Sequence, residues 1–137
     1  MRFFEDCDGV TEARGFFASG VHCDVKGNHN GKLDLGVIYS PHPCHAAGVF
    51  TTNDIKAAPV TLCQEILKKS GNSFHAIVAN SGNANACTGT QGELDAKKML
   101  SETARHLKIK QDQVLVCSTG RIGVPLPMSK ITAGIGD

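Results

Sequence analysis

No sign of charge prevails in this sequence. Lys plus Arg number 14 against 13 for Asp plus Glu, a net charge of +1, and there is no basic stripe to neutralise a row of phosphates. Nucleic acid is therefore not expected as a partner. Long apolar runs are missing too: the longest, around Val114 to Cys117 and Ala76 to Ala79, fall far short of the roughly 20 residues that span a bilayer. The N-terminus, Met1-Arg2-Phe3-Phe4-Glu5-Asp6, turns acidic where a signal peptide carries its apolar stretch. The expectation is a soluble, unexported, cytoplasmic protein with no membrane partner.

Cys-x-x-Cys pairs are also absent. The six cysteines, at positions 7, 23, 44, 63, 87 and 117, are widely and irregularly spaced, which fits reduced thiols packed as small apolar residues rather than a disulfide framework. His42, Cys44 and His45 gather three possible ligands, but a structural zinc site wants four, usually as two spaced pairs, and no second pair exists. No metal is expected. The P-loop, the dinucleotide fingerprint and HExxH are all lacking, so no cofactor is expected either.

What is present is an ordinary globular composition: 137 residues, 41% hydrophobic and 20% charged, with no internal repeat. A chain of this size buries roughly two-thirds of its unfolded surface, so a single domain over 1–137 without internal boundary is the default. Val21, Cys23 and Val25 alternate with polar residues, Gly27-Asn28-His29-Asn30-Gly31 supplies a turn, and Leu33, Leu35, Val37 and Tyr39 alternate again. This predicts a hairpin with one buried face. A short strand is expected at Gly48 to Thr52. Phe74 to Ala79 and Gln113 to Cys117 read as strands apolar on both faces, hence sandwiched between layers.

Three helices are expected between and after these strands. One starts at Pro59, carries Val60, Cys63, Ile66 and Leu67, and stops at Lys68, Lys69 and Gly71. Thr90-Gln91-Gly92-Glu93 has the form of a capping box before Ala96, Met99, Leu100, Thr103 and Leu107, with Lys97, Lys98 and Glu102 outside. A third helix begins near Pro127 and carries Met128, Ile131 and Ile135. Together these elements predict an α+β layered sandwich.

Two segments could carry chemistry. The strand at Val114 to Cys117 runs into Ser118-Thr119-Gly120-Arg121-Ile122-Gly123, and a Gly-interrupted turn there can aim a backbone N–H outward beside a Thr hydroxyl. Thr119 and Gly120 are thus candidate donors to a developing oxyanion, and a plain strand-ending turn is the alternative. Asn80-Ser81-Gly82-Asn83-Ala84-Asn85-Ala86-Cys87-Thr88-Gly89 reads either as a pocket-lining loop or as a loop tied to itself by its amides.

Taken in order, Gly9-Val10-Thr11-Glu12-Ala13-Arg14-Gly15-Phe16, Ala47 to Asn53 with Lys56 to Val60, the Asn-rich segment 80–89 and Ser118 to Met128 resemble the ornithine acetyltransferase family of arginine biosynthesis. The resemblance runs from residue 9 to the end. It implies transfer of acetyl from N-acetylornithine to glutamate, with acetyl-CoA accepted as co-substrate by some members. It also implies a precursor that cuts itself into α and β chains, the new N-terminal Thr of β being the nucleophile. The implied fold is a four-layer α/β/β/α sandwich of interleaved chains, usually an α2β2 heterotetramer, and Thr119 and Gly120 fall on its oxyanion-hole motif. Two departures stand out. Arg121 occupies a position where an apolar residue is common; its charge either bears on substrate choice or faces solvent, and solvent is the expectation. The nucleophile and the substrate-binding Thr and Lys lie beyond this chain, which looks like the front part of an α chain. The alternatives are a self-processing amidase or aminopeptidase of similar fold, and a non-catalytic fragment whose Gly and Asn loops are structural.

Overall fold

Residues 9–69 and 73–137 are described by the structure, a computed structural model. Met1 to Asp6, Cys7 and Gly71 lie outside them. Four strands, β1 (Phe17–Val21), β2 (Leu35–Cys44), β3 (Phe74–Asn83) and β4 (Val114–Arg121), form one sheet in the order β1-β2-β3-β4. The first two pairings are antiparallel and the β3–β4 pairing is parallel. Three helices, α1 (Ala58–Lys69), α2 (Gly89–Leu107) and α3 (Met128–Gly136), complete an α+β architecture, as the sequence predicts. The parallel pair is possible because α2 supplies the long crossover such a pair needs.

All three helices pack on one face of the sheet. Val78, Val114 and Ile131 are fully buried between them, with Val37, Val116, Met99, Leu100 and Ile135 alongside. Helix α2 presents Ala96, Met99, Leu100, Thr103 and Ala104 inward, the expected stripe. Glu102 departs from expectation: it is buried rather than outside, because Lys98 (2.5 Å) and Arg105 (2.6 Å) fold its carboxylate onto the helix. The Lys98 hydrogen bond and then the Arg105 one hold that carboxyl down at about 2.

The hairpin is shifted from its expected place. Its first strand is Phe17–Val21, paired so that Val21 meets Leu35, and residues 22–25 leave the ladder. The Asp34 carboxylate accepts the N–H groups of Cys23 (2.6 Å) and Val25 (2.7 Å), and Asp24 takes a left-handed φ of 53°. A backbone whose donors turn to a side chain cannot continue a strand, even though its apolar alternation persists. Lys130 of α3 ties this loop down by bonding both the Asp24 carboxylate (3.0 Å) and its carbonyl (3.1 Å). The His29 N–H and Lys130 together lower the Asp24 carboxyl to about 2. Strand β2 continues past Tyr39 through Pro41 and Pro43, because β1 ends opposite Tyr39 and residues beyond it have a neighbour on one side only.

Two further expectations fail. Residues 48–52 form no strand, and Val49 is fully exposed. The capping box at Thr90 to Glu93 is not made: α2 starts at Gly89 without a side-chain cap, and Asn85 instead ties the preceding loop to the first turn, donating Nδ2 to the Gly92 carbonyl (2.8 Å) while its Oδ1 accepts from Thr88 Oγ1 (2.7 Å). A Cβ at position 92 would overlap both Thr88 and Asn85, so the close approach requires the glycine.

The sheet is also covered on one face only, among the described residues. Along β3 the buried Phe74, Ala76, Val78 and Asn80 alternate with exposed Ile77, Ala79 and Ser81. Ile38, Ile77 and Leu115 line up across the uncovered face through the pairings Ile38–Ile77 and Ile77–Leu115. It is an apolar face without a layer on it.

Candidate functional site

The candidate site lies where β4, at the sheet edge, runs out of the core. Cys63 of α1 marks the direction of its backbone: the Cys63 thiol accepts from the Val116 N–H (3.4 Å) and donates to the Val116 carbonyl (3.2 Å). Main-chain groups of Val116 thus point off the sheet, and strand alternation turns those of Ser118 and Gly120 the same way. Arg121, one step out of phase, turns inward, its carbonyl accepting from the Ala84 N–H (2.9 Å).

Side chains alternate across the sheet in the same manner. Ser118 faces the helices, and its Oγ is buried without a partner among the described residues, as is Oδ1 of Asn80 opposite it in the ladder. Thr119 faces the open side, exposed, beside its ladder partner Ser81. Of the two adjacent hydroxyls, Thr119 is therefore the accessible one. The Thr119 hydroxyl and the Gly120 N–H stand at one corner of the sheet, where open face meets open edge.

Thr119 and Gly120 are strand residues, not a turn as expected. The strand runs through Arg121, and the bend follows at Ile122 and Gly123. The chain can stay in the ladder because Gly120 (φ 131°) pairs with Gly82 (φ 125°). A Cβ on Gly120 would overlap the carbonyl carbon and oxygen of Gly82 and come within 2.8 Å of the Asn83 nitrogen. Cys117 shares the open face, and desolvation pushes its thiol above the ordinary cysteine range, so it carries little thiolate with which to act as a nucleophile.

The Asn-rich segment is not a loop throughout, since Asn80 to Asn83 continue β3 and Gly89 opens α2, but its amides do tie it to itself and its neighbours. Asn80 donates Nδ2 to the Asn83 carbonyl (3.0 Å) and Asn83 donates Nδ2 to the Pro125 carbonyl (2.9 Å). Asn80, Asn83 and Asn85 are all buried. Arg121 is exposed, as expected, yet it is also tied down: its Nε donates to Asn83 Oδ1 (3.0 Å) and a terminal nitrogen donates to the Lys26 carbonyl (3.0 Å). These links were not visible in the sequence.

His42, Cys44 and His45 do not converge, and no three His, Cys, Asp or Glu side chains among the described residues are placed to hold a metal ion. His22 Nδ1 lies 2.6 Å from the Lys32 carbonyl, and burial raises the Cys23 thiol to about 11. Among the described residues no helix is long and apolar enough to cross a membrane.

Solved structures share this arrangement. The arginine biosynthesis bifunctional protein argJ from Bacillus halodurans superposes with a TM-score of 0.87 and 42% identity, over 93% of this chain and 65% of that one. Ornithine acetyltransferase from Mycobacterium tuberculosis, solved in complex with ornithine, gives 0.85 and 41%, over 93% and 67%. A mixed sheet with helices on one face is thus the α+β scaffold of the ornithine acetyltransferase class. The match to the ArgJ family covers residues 17–137, and the chain belongs to that family. The curated ArgJ proteins of Thermotoga neapolitana and Clostridium acetobutylicum are 54% and 55% identical over 122 and 126 residues, 89% and 92% of this chain. This chain spans about 30% of the length of either.

Proposed function

We propose that residues 1–137 are one undivided piece, the front part of the α chain, of a self-cleaving acetyltransferase, and that Thr119 and Gly120 are its oxyanion donors. The reaction is transfer of acetyl from N-acetylornithine to glutamate in arginine biosynthesis, with acetyl-CoA as a second possible donor. The observation that carries this reading is the corner at Thr119 and Gly120: a free hydroxyl and an outward N–H on adjacent residues, held by a glycine pair.

The chemistry suits such a corner. A Thr hydroxyl from the β chain attacks the acetyl carbonyl, and the carbonyl oxygen gains charge as the carbon becomes tetrahedral. The Thr119 O–H and Gly120 N–H donate to that oxygen. Collapse expels the ornithine amine, which takes up a proton, and leaves the acetyl group on the β-chain Thr. Attack by the glutamate amine rebuilds the same oxyanion, so one pair of donors serves both halves. The apolar open face at Ile38, Ile77 and Leu115 supports a second sheet laid against it, completing a four-layer sandwich in an α2β2 heterotetramer. Neither metal nor organic cofactor is needed, and the enzyme belongs in the cytoplasm.

Two results are expected. The isolated polypeptide 1–137 turns over no N-acetylornithine and binds an apolar dye through its uncovered face. Turnover at enzymatic rates by this piece alone would refute the division of labour. After denaturation it titrates six free thiols and carries no stoichiometric zinc by elemental analysis. Fewer thiols in the absence of reductant, or one zinc per chain, would overturn the metal-free assignment. The activity itself is tested by assaying the complete α plus β protein with N-acetylornithine and glutamate.

A further inference from the structure

We propose that Arg121, acting through Asn83, is a positioning residue that fixes the Gly120 N–H in its donating direction. This role rests on the oxyanion reading above. Gly120 is a weak place to hold a donor by itself: it has no side chain to pack, and its partner across the ladder, Gly82, has none either. Two glycines at positive φ face each other where a hydrogen bond must be aimed to within a few tenths of an ångström. What pins the peptide must come from the flanks.

On the near side β4 is fixed by Cys63 at Val116. On the far side the next ladder pair, Asn83 and Arg121, closes the frame. Asn83 is 2% exposed and bonded at both ends of its amide, Oδ1 to Arg121 and Nδ2 to the Pro125 carbonyl beyond the bend. The guanidinium then reaches from Asn83 to the Lys26 carbonyl, in the same loop whose Val25 and Lys26 lie against Gly82. Arg121 therefore joins three segments around the glycine pair: β3, the 22–34 loop and the strand that carries the donor. Only a planar fork offers two donors in fixed relation across that span. A lysine would keep the charge and lose the bridge. The partners of Arg121 are neutral, an amide oxygen and a carbonyl, so geometry rather than ion pairing holds it.

The test is steady-state kinetics on the complete processed enzyme carrying Arg121→Gln or Arg121→Lys, with kcat normalised to the acyl-enzyme burst so that unassembled protein does not count. Both variants are expected to lose about 10- to 100-fold in kcat, the scale of a misplacement near 1 Å, with KM for N-acetylornithine within about twofold of wild type. Losing Arg121 leaves the buried Asn83 Oδ1 without its donor, so both variants are expected to melt a few degrees lower, a loss that the burst normalisation keeps out of kcat. Wild-type kcat in either variant would overturn the proposal, since activity retained by lysine alone would mean that the charge acts and the fork does not. A raised KM at unchanged kcat would overturn it as well. Thr119→Ala in the same series separates the two levels. If it is slow while both Arg121 variants are normal, only the positioning role falls. If it is at wild-type rate, the oxyanion reading beneath falls.

Discussion

Thr119→Ala in the complete processed enzyme is expected to lower kcat by about 10²–10³, or roughly 2.7–4 kcal/mol of transition-state stabilisation, the usual cost of one oxyanion donor. KM should change little, because the charge on the carbonyl oxygen develops only on the way to the tetrahedral intermediate. The melting temperature should hardly move: Thr119 is exposed on the open face, and its hydroxyl bonds to nothing among the described residues. Thr119→Ser keeps the hydroxyl and should retain much of the rate, and ping-pong kinetics should persist in both variants. Wild-type kcat in Thr119→Ala, or loss of activity only through loss of folding, would return this corner to a structural role.

The neighbouring position is expected to behave in the opposite way. Gly120→Ala forces a Cβ into the Gly82 carbonyl at a φ of 131°, which L side chains rarely adopt. Backbone strain there costs about 1–3 kcal/mol and overpacking a further 1–3, a large share of the 5–15 kcal/mol that a domain has in total. The melting temperature of the complete enzyme should fall by about 10 °C or more, and whatever remains folded should be slow because the N–H is displaced. Calorimetry of the purified variant beside kcat per titrated active site separates the two losses. An unchanged melting temperature would show that the Gly82–Gly120 approach is not as tight as described.

The contrast between these two positions also shows how far the sequence could be read. Helix α2, nineteen residues long, was legible because Ala96, Met99, Leu100 and Thr103 recur at helical spacing, and the same holds for Ile131 and Ile135 in α3. Strand β1 was misplaced because alternation at Val21, Cys23 and Val25 cannot reveal that Asp34 takes the backbone donors. The expected strand at 48–52 does not form; Phe50 packs against the core as a side chain while its backbone joins no ladder. Thr119 and Gly120 stood out as candidates because a glycine after a hydroxyl residue at a strand end is a local pattern, but that pattern also fits a plain turn, and only the family resemblance tips it toward oxyanion donors. The Asn83–Arg121–Lys26 frame was not, since its members stand 38 and 95 residues apart, and only folding brings an exposed-looking arginine onto a buried amide.

The thiol of Cys63 has a consequence beyond fixing direction. A bare edge strand invites a foreign strand to zip along it, which is a route to aggregation. By taking both the N–H and the carbonyl of Val116, Cys63 plugs the edge of β4 midway, so that the edge beyond it is confined to the stretch from Ser118 to Gly120 before Arg121 turns inward. That stretch is too short to template another chain. It can therefore keep an unpaired N–H in the open without becoming a nucleus for fibres.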